Sequence, residues 1–288
     1  MQDNDLGTQK DFQALIQKQT LGLRCVVNAR QLGGYETFDG RRVRNLALLR
    51  SGQLDMADKQ DIAFLKDQCH LTQIIDFRDI TEVEHVPPLK FDGVQYHNLY
   101  VLPPNFVERN ITSHRAGNLT EITGPYSDQQ LNIVRSIDYE ALWECFYDTL
   151  ATSETSAEAF KNFFNILLEN RDGAILFHCA SGKDRTGVAT ILLLHALGVD
   201  YNTIERDYLL TNSFLENQIQ AALDSARRET DDEFLLRGVA LLEGVERHFF
   251  DRYLSELDKV YGGIDNYLSV KIGVGYTQIA YLKDKYTV

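Results

Sequence analysis

The sequence predicts an α/β fold, a central and largely parallel sheet flanked by helices, with a helical C-terminal half. Three observations predict it. Up to residue 198, short apolar runs bounded by turn residues alternate with amphipathic segments of helical period. The apolar run AILFH (174–178) leads directly into a helical pattern, as a parallel strand feeding its crossover helix does. Past residue 198 the helical period continues almost to the end of the chain, with a break at YGG (261–263).

Residues 1–22 form a polar N-terminal segment with a loose helix, and 23–288 are expected to form one domain. LRCVVNA (23–29) reads as a strand. LGGYETFDGRRV (32–43) reads as a hairpin, because Asp39-Gly40 suits a tight turn with positive φ at both central positions. DMADKQDIAFLKDQ (55–68) is an amphipathic helix, with Ile62 and Leu65 on one stripe and acids near its start. LTQIIDF (71–77) and VQYHNLYV (94–101) are strands, the second flanked by VPPL and LPPN. Residues 103–136 are rich in Asn, Thr, Gly and Pro without a period, which predicts a long loop or lid. From 138 to 168 helical stripes return, one of Trp143, Phe146, Tyr147 and Leu150 and another of Phe160, Phe163, Phe164, Leu167 and Leu168; Trp143 reads as core. Residues 199–260 form a helical region, and no internal repeat is visible.

A chain of 288 residues, 44% apolar and 25% charged, has the material for a sizeable core. Its formal charge of -13 repels polyanions, so an anionic substrate has to be drawn in by a local positive pocket. No apolar run approaches the ~20 residues of a membrane span, and the start MQDNDLGTQKDFQ has no basic stretch followed by an apolar one. These features predict no nucleic-acid partner, no stable membrane insertion and a cytoplasmic location, with secretion only if a signal peptide was removed ahead of this Met. Cys25, Cys69, Cys145 and Cys179 are scattered, with no CxxC pair and no metal-like spacing, which predicts neither disulfides nor bound zinc.

The stretch AILFHCASGKDRTGVATILLLHALG (174–198) sets a cysteine, a lysine, an aspartate and an arginine between two apolar elements. A strand ends at His178, Gly182 and Gly187 let the chain bend its amides inward, and a helix starting near Thr186 offers unpaired N–H donors. Arg185 adds a bidentate fork. Ala180, Ser181, Gly182, Lys183, Asp184, Arg185 and Thr186 thus form an anion cradle suited to phosphate, with the Cys179 sulfur at its base. Helix N-termini and cations favour a thiolate, so the cradle also prepares a nucleophile, and transfer of phosphoryl to sulfur divides a hard hydrolysis into two easier steps. The sequence argues against a Walker A loop, since Phe177 stands at its first glycine and Asp184 at its Ser/Thr position.

The pattern His178-Cys179-x5-Arg185-Thr186 resembles the signature loop of the cysteine-based protein tyrosine phosphatases, and HCASGKDRTG is similar to their bacterial branch with Lys-Asp-Arg in the loop. The resemblance extends over most of the chain. NARQLGGYETFDGRRVRNLALLRSGQL (28–54) is similar to that branch's Asn-x-Arg-Asp-x-Gly-Gly and Arg-Ser-x-x-Leu motifs, IIDFRDITEVE (74–84) to its Asp-Leu-Arg stretch, and RDYLLTN (206–212) and YGGIDNYL (261–268) to its C-terminal half. Gln31 departs from the pattern, standing where the family usually carries an acid. The resemblance implies a protein tyrosine phosphatase-like fold and metal-independent hydrolysis of phosphotyrosine, also of phosphoserine or phosphothreonine, without any cofactor. The partner is then a phosphorylated protein; the alternative substrate is a phosphoinositide or an inositol phosphate.

Within that expectation Cys179 is the nucleophile and Arg185 the phosphate ligand. Thr186 caps the helix and, as the resemblance implies, assists the departing thiolate. His178 orders the loop by hydrogen bonds. The general acid is open between Asp184, which Lys183 and Arg185 hold ionised until a dianion offsets them, and Asp76 at the end of its strand, which an ion pair with Arg78 would explain equally well. Asp148, inside an amphipathic helix, is the third candidate. Lys183 reads either as a solvated charge or as a second cation for substrates with more than one phosphate. Arg41, Arg42, Arg44 and Arg50 read either as part of a positive funnel or as a solvated face. The rival class is a silent phosphate-binding module, which the intact Cys/Arg/Thr set opposes.

Overall fold

Strand β5, Ala174–His178, is buried along its whole length and forms the middle of the molecule. It can be wholly apolar because both faces of its sheet are covered. The computed structural model describes residues 9–103, 106, 126–135 and 137–288. In chain order its elements are α1 (Gln9–Gln19), β1 (Arg30–Gln31), β2 (Leu48–Ser51), α2 (Lys59–Ala63), β3 (Leu71–Asp76), α3 (Ile80–His85), β4 (Gln95–Asn98), α4 (Asp128–Arg135), α5 (Tyr139–Thr152), α6 (Glu154–Glu169) and β5, followed by helices alone. Those are α7 (Asp184–Leu197), α8 (Tyr201–Phe214), α9 (Glu216–Glu229), α10 (Glu233–Glu243), α11 (Arg247–Tyr261) and, past a single helical turn at Ile264–Asn266 and a π-helical segment at Tyr267–Ile272, α12 (Tyr276–Tyr286). The predicted α/β class and helical C-terminal half are what the structure has.

The sheet order is β1-β2-β5-β3-β4. β2, β5, β3 and β4 run parallel and only β1 is antiparallel. Alternate residues of the strands enter two cores. Leu48, Ile75, Ile175 and Phe177 pack with the helical side, where Phe77, Phe163 and Phe177 meet edge to face at 5.2–6.3 Å. Leu49, Ile74, Ala174 and Leu176 pack with Leu21, Val26, Leu54 and Leu65 on the other side. Polar caps fix where the surrounding helices begin. Asp58, Asp138, Ser153, Asp200 and Asp232 each accept from a first-turn amide, and Asp79 forms a capping box with Glu82. Among the described residues no helix is long and apolar enough to cross a membrane.

Several local expectations are corrected. Residues 23–29 form no strand, because the Asp61 carboxylate takes the Arg24 and Cys25 amides at 2.8 and 3.0 Å and Asn28 turns to φ +55°. The 32–43 hairpin is present as a short one, with Gly34 N to Val43 O at 2.7 Å and Val43 N to Tyr35 O and Thr37 N to Arg41 O at 2.9 Å around the Glu36–Arg42 bridge, but only Gly40 of its turn has positive φ. Its sides also bridge outward, Thr37 to Val199 and Val43 to Thr287. The 55–68 helix becomes α2 followed by a π-helical Phe64–Gln68. Of the 103–136 loop or lid, 104–105, 107–125 and 136 lie outside the described residues, while 128–135 is helix α4. Gln31 bridges two backbone groups, accepting from Leu46 N at 2.8 Å and donating to Lys18 O at 3.2 Å, a task that suits a neutral amide.

Candidate active site

Parallel strands finish on one edge, and here that edge brings Ser51, His178 and Asp76 side by side at the ends of β2, β5 and β3. The chain leaves β5 there, makes the loop 179–183 and enters α7 at Asp184. Gly182 is what lets it turn. It sits at φ +67°, and a Cβ on it would lie 2.2 Å from the Ser51 carbonyl oxygen.

The loop's carbonyls are drawn outward by fixed donors. Ala180 O accepts from Gln53 N at 2.8 Å, and Ser181 O from Asn28 Nδ2 at 3.0 Å. Gly182 O accepts from Asn28 Nδ2 at 2.9 Å and Arg50 Nη2 at 2.7 Å. None of the backbone N–H groups of residues 180–186 donates to an acceptor among the described residues, and Lys183, the N-cap of α7, makes no side-chain cap. With the acceptors committed outward, the row of amides and the positive end of α7 are left for an anion.

Cys179, 2% exposed, is the first residue beyond β5. Arg185 is held by Glu82 of α3, its Nη1 donating to Oε2 at 2.5 Å and its Nη2 to Oε1 at 2.8 Å. Among the described residues those two contacts leave three of the guanidinium's five donors for a ligand. Burial works against the Arg185 charge, but Glu82 outweighs it and the pKa lies above the ordinary arginine value. Thr186 is fully buried and its Oγ1 has no partner among the described residues. His178 Nδ1 lies 3.0 Å from Cys179 O, and burial pulls this imidazole below its ordinary value, so at neutral pH it is uncharged.

The three candidate acids sit in different settings. Both oxygens of Asp76 are within 3.0 Å of Arg78 Nε, Nη2 adds a contact at 2.7 Å, and Tyr96 OH donates at 2.5 Å. Burial pushes the Asp76 carboxyl up, but His178 when protonated, together with Arg78 and Tyr96, brings it below its ordinary value. Asp184, 7% exposed, accepts from Tyr147 OH at 2.7 Å, and that hydroxyl in turn meets Tyr208 OH at 2.7 Å. Asp148 is taken up by the Arg252 fork from α11 at 2.7 Å on each oxygen.

Lys183 overturns both sequence readings. It is 6% exposed, and its Nζ donates to Leu242 O, to Gly244 O at 3.1 Å and to Leu241 O at 3.4 Å, at the C-terminus of α10. It also lies 4.7 Å from the Trp143 ring centroid and 3.7 Å from Asp184 Oδ2. The negative end of a helix holds this cation, which is neither solvated nor free for a second phosphate. Three of the four arginines of the basic run form no open funnel: Arg41 pairs with Asp39 and Asp284, Arg42 with Glu36, and Arg50 is buried, while Arg44 is exposed.

Sequence reasoning gave no role in the site to Asn28, Arg30, Glu82, Asp207 or Tyr208, and it read Arg50 only as part of the basic run and Tyr147 only as part of a helical stripe. Most stand inside stretches that carried the resemblance, so their positions were visible while their contacts were not. Among the described residues no group of three or more His, Cys, Asp and Glu side chains is arranged to hold a metal ion.

Comparison with known proteins adds the family. The model of the tyrosine phosphatase family matches residues 21–288. A Cupriavidus necator protein, provisionally named a tyrosine-protein phosphatase, is 30% identical over 259 residues, 90% of this chain and 86% of its own. The triple specificity protein phosphatase PtpB of Mycobacterium tuberculosis is 25% identical over 238 residues, 77% of this chain and 84% of its own. A tyrosine-protein phosphatase of Nostoc commune is 32% identical over 155 residues, and the chain spans about half of its length (48%). Among solved structures, the core catalytic domain of the S. cerevisiae PP-IP phosphatase SIW14 matches 74% of this chain and 89% of its own at TM-score 0.30 and 12% identity.

Proposed function

The chain belongs to the tyrosine phosphatase family and is a phosphatase, and we propose that it hydrolyses phosphotyrosine, without a metal, through a cysteinyl phosphate on Cys179. The observation that carries this reading is the loop whose carbonyls are tied outward to Gln53, Asn28 and Arg50, leaving the amides of 180–186 for a phosphate. The three remaining Arg185 donors and those amides bind the non-bridging oxygens. The Cys179 thiolate attacks phosphorus, the bond to the tyrosyl oxygen breaks, and the departing oxygen takes a proton from Asp184. In the second step Asp184 takes a proton from water as that water attacks the cysteinyl phosphate, releasing inorganic phosphate and restoring the thiolate. Asp76 is held too closely by Arg78 and Tyr96 to exchange protons cheaply, which favours Asp184 for this role.

Phosphoserine and phosphothreonine are further substrates in this reading, in line with a relative named for triple specificity. A substrate with several phosphates has less support, because Lys183 is committed to α10. Cys179→Ser is expected to abolish turnover of an aryl phosphate while retaining phosphate binding, and chelators are expected to leave the wild type unchanged. Residual turnover above a few per cent in the serine variant would remove the covalent route. Equal rates on phosphotyrosine peptides, phosphoserine peptides and phosphoinositides would remove the tyrosine preference.

A further inference from the structure

Among the described residues, and Cys179 apart, the charges that touch the loop balance in pairs, with one exception. Arg185 faces Glu82, Lys183 faces Asp184, Arg78 faces Asp76, and burial keeps His178 uncharged at neutral pH. Below the loop, however, the guanidinium groups of Arg30 and Arg50, both 0% exposed, share the single carboxylate of Asp207. Arg50 Nη1 donates to Asp207 Oδ2 at 2.7 Å and Arg30 Nε to Oδ1 at 3.2 Å. Tyr35 OH donates to the same Oδ1 at 3.0 Å and brings no charge. A buried positive charge is therefore left over for the anions of the loop, the Cys179 thiolate and a bound phosphate, and the Arg50 Nε has no partner among the described residues.

Both arginines act on the loop. Arg50 Nη2 holds Gly182 O directly. Arg30 Nη1 donates to Asn28 Oδ1, which orients the Asn28 amide whose Nδ2 holds Ser181 O and Gly182 O. Burying an uncompensated guanidinium is costly, and such an arrangement persists where a counter-charge arrives from outside.

We propose that Arg30, Asp207 and Arg50 form a positioning unit whose surplus positive charge lies under the loop and sets its affinity for phosphate, the counter-charge coming from the Cys179 thiolate and the bound dianion together in the wild type and from phosphate alone in the Cys179→Ser protein. The proposal rests on the phosphate-binding reading of 179–186. The protonation behaviour agrees with it. Burial first, and the Arg30 charge second, bring Arg50 down to about 10, which still leaves it charged at neutral pH. Burial pushes Asp207 up, but the two arginines outweigh it and its pKa lies below the ordinary value.

The test uses the full chain in a Cys179→Ser background and measures inorganic phosphate binding by calorimetry, with folding checked by circular dichroism. Arg50→Met is expected to weaken binding at least ~10-fold, Arg50→Lys to stay within ~3-fold of the parent, and Asp207→Asn, which enlarges the surplus, to tighten it by ~3-fold or more. A purely structural role would weaken binding in all of them. Loss of affinity in Asp207→Asn, or equal loss in Arg50→Lys and Arg50→Met, therefore overturns the proposal. If Arg50→Met does not fold, the sign of the change in Asp207→Asn decides; if Asp207→Asn does not fold, the contrast between Arg50→Lys and Arg50→Met decides. If the Cys179→Ser parent binds no phosphate at all, the loop reading itself fails, which is a different result from a parent that binds and variants that do not respond.

Discussion

The arginines beneath the loop and those on the outer surface make the same contact, a guanidinium against a carboxylate, and do different work. Arg30, Arg50, Arg78 and Arg185 lie at most 12% exposed against Asp207, Asp76 and Glu82. Arg42, Arg237 and Arg252, 31–54% exposed, pair with Glu36, Glu246 and Asp148. Removing one partner from a buried pair strands a charge and costs roughly 3–5 kcal/mol. An exposed pair is worth about 0–1 kcal/mol, because water and salt replace the lost partner. Only the buried set fixes geometry, and every member of it lies at the carboxyl edge of the sheet or beneath it.

The strongest way to break that set is Arg185→Lys. Lysine keeps the charge but cannot span two Glu82 oxygens and still present a fork to phosphate. Turnover is expected to fall by about 10²-fold or more, close to the loss in Arg185→Ala. Steady-state rates of the two variants on one aryl phosphate make the comparison, and a lysine variant within a few-fold of wild type would show that charge alone suffices.

Asp184 and Asp76 sharpen the contrast within the buried set, since one accepts a hydroxyl with Lys183 standing 3.7 Å away and the other is gripped by a whole guanidinium. An acid matters most for a poor leaving group. Asp184→Asn is expected to slow phosphotyrosine hydrolysis by roughly 10²–10⁴-fold and to spare an aryl phosphate whose phenol is already acidic. Asp76→Asn is expected to lower both rates alike, along with the melting temperature, because it releases Arg78. Rate ratios on the two substrates decide, and the reverse pattern would assign the acid role to Asp76.

How much of this was legible in the sequence follows from the range of each interaction. The apolar strands 71–77 and 174–178, the loop glycine, Cys179 and Arg185 were readable because periodicity, turn chemistry and the spacing of a nucleophile from its cation are all local. Glu82 was not readable as the partner of Arg185, nor Asp207 as the partner of Arg30 and Arg50, since 103, 177 and 157 residues separate them. Lys183 was misread for the same reason, as the carbonyls that hold it come from the end of α10, 58–61 residues on. LRCVVNA has strand-like composition, but a single distant carboxylate, Asp61, took the amides that a ladder would have used.

A milder break comes from pH. Burial holds His178 below its ordinary value of 6.5, and the half-buried His97 shifts the same way for the same reason. As pH falls through 6.5 the unfolded chain binds protons that the folded protein does not, so stability contributed above that pH is progressively lost. Asp76 and Asp207, lowered from 3.8, act in a second stage: their contribution is complete above that value and lost as pH drops below it. Melting temperatures measured from about pH 8 to pH 5 should therefore decline, and His178→Gln should decline less steeply. Equal slopes would mean that His178 is charged in the folded protein.

The smallest effect belongs to the surface set. Asp148 was a candidate acid on sequence grounds, yet it lies on α5 with its carboxylate taken by Arg252, each partner 31% exposed. Asp148→Asn removes the charge and keeps the shape. What remains of Arg252 can still reach Glu144, at 3.3 Å, and water. Stability is expected to fall by less than ~1 kcal/mol, with the phosphotyrosine-to-aryl rate ratio and the pH profile unchanged. Denaturant melts and the same two substrates read both quantities. A selective loss on phosphotyrosine would make Asp148 part of the chemistry and would end the distinction between the buried and exposed pairs, whereas a stability loss of several kcal/mol would mean that α5 and α11 depend on this pair as the loop depends on its own.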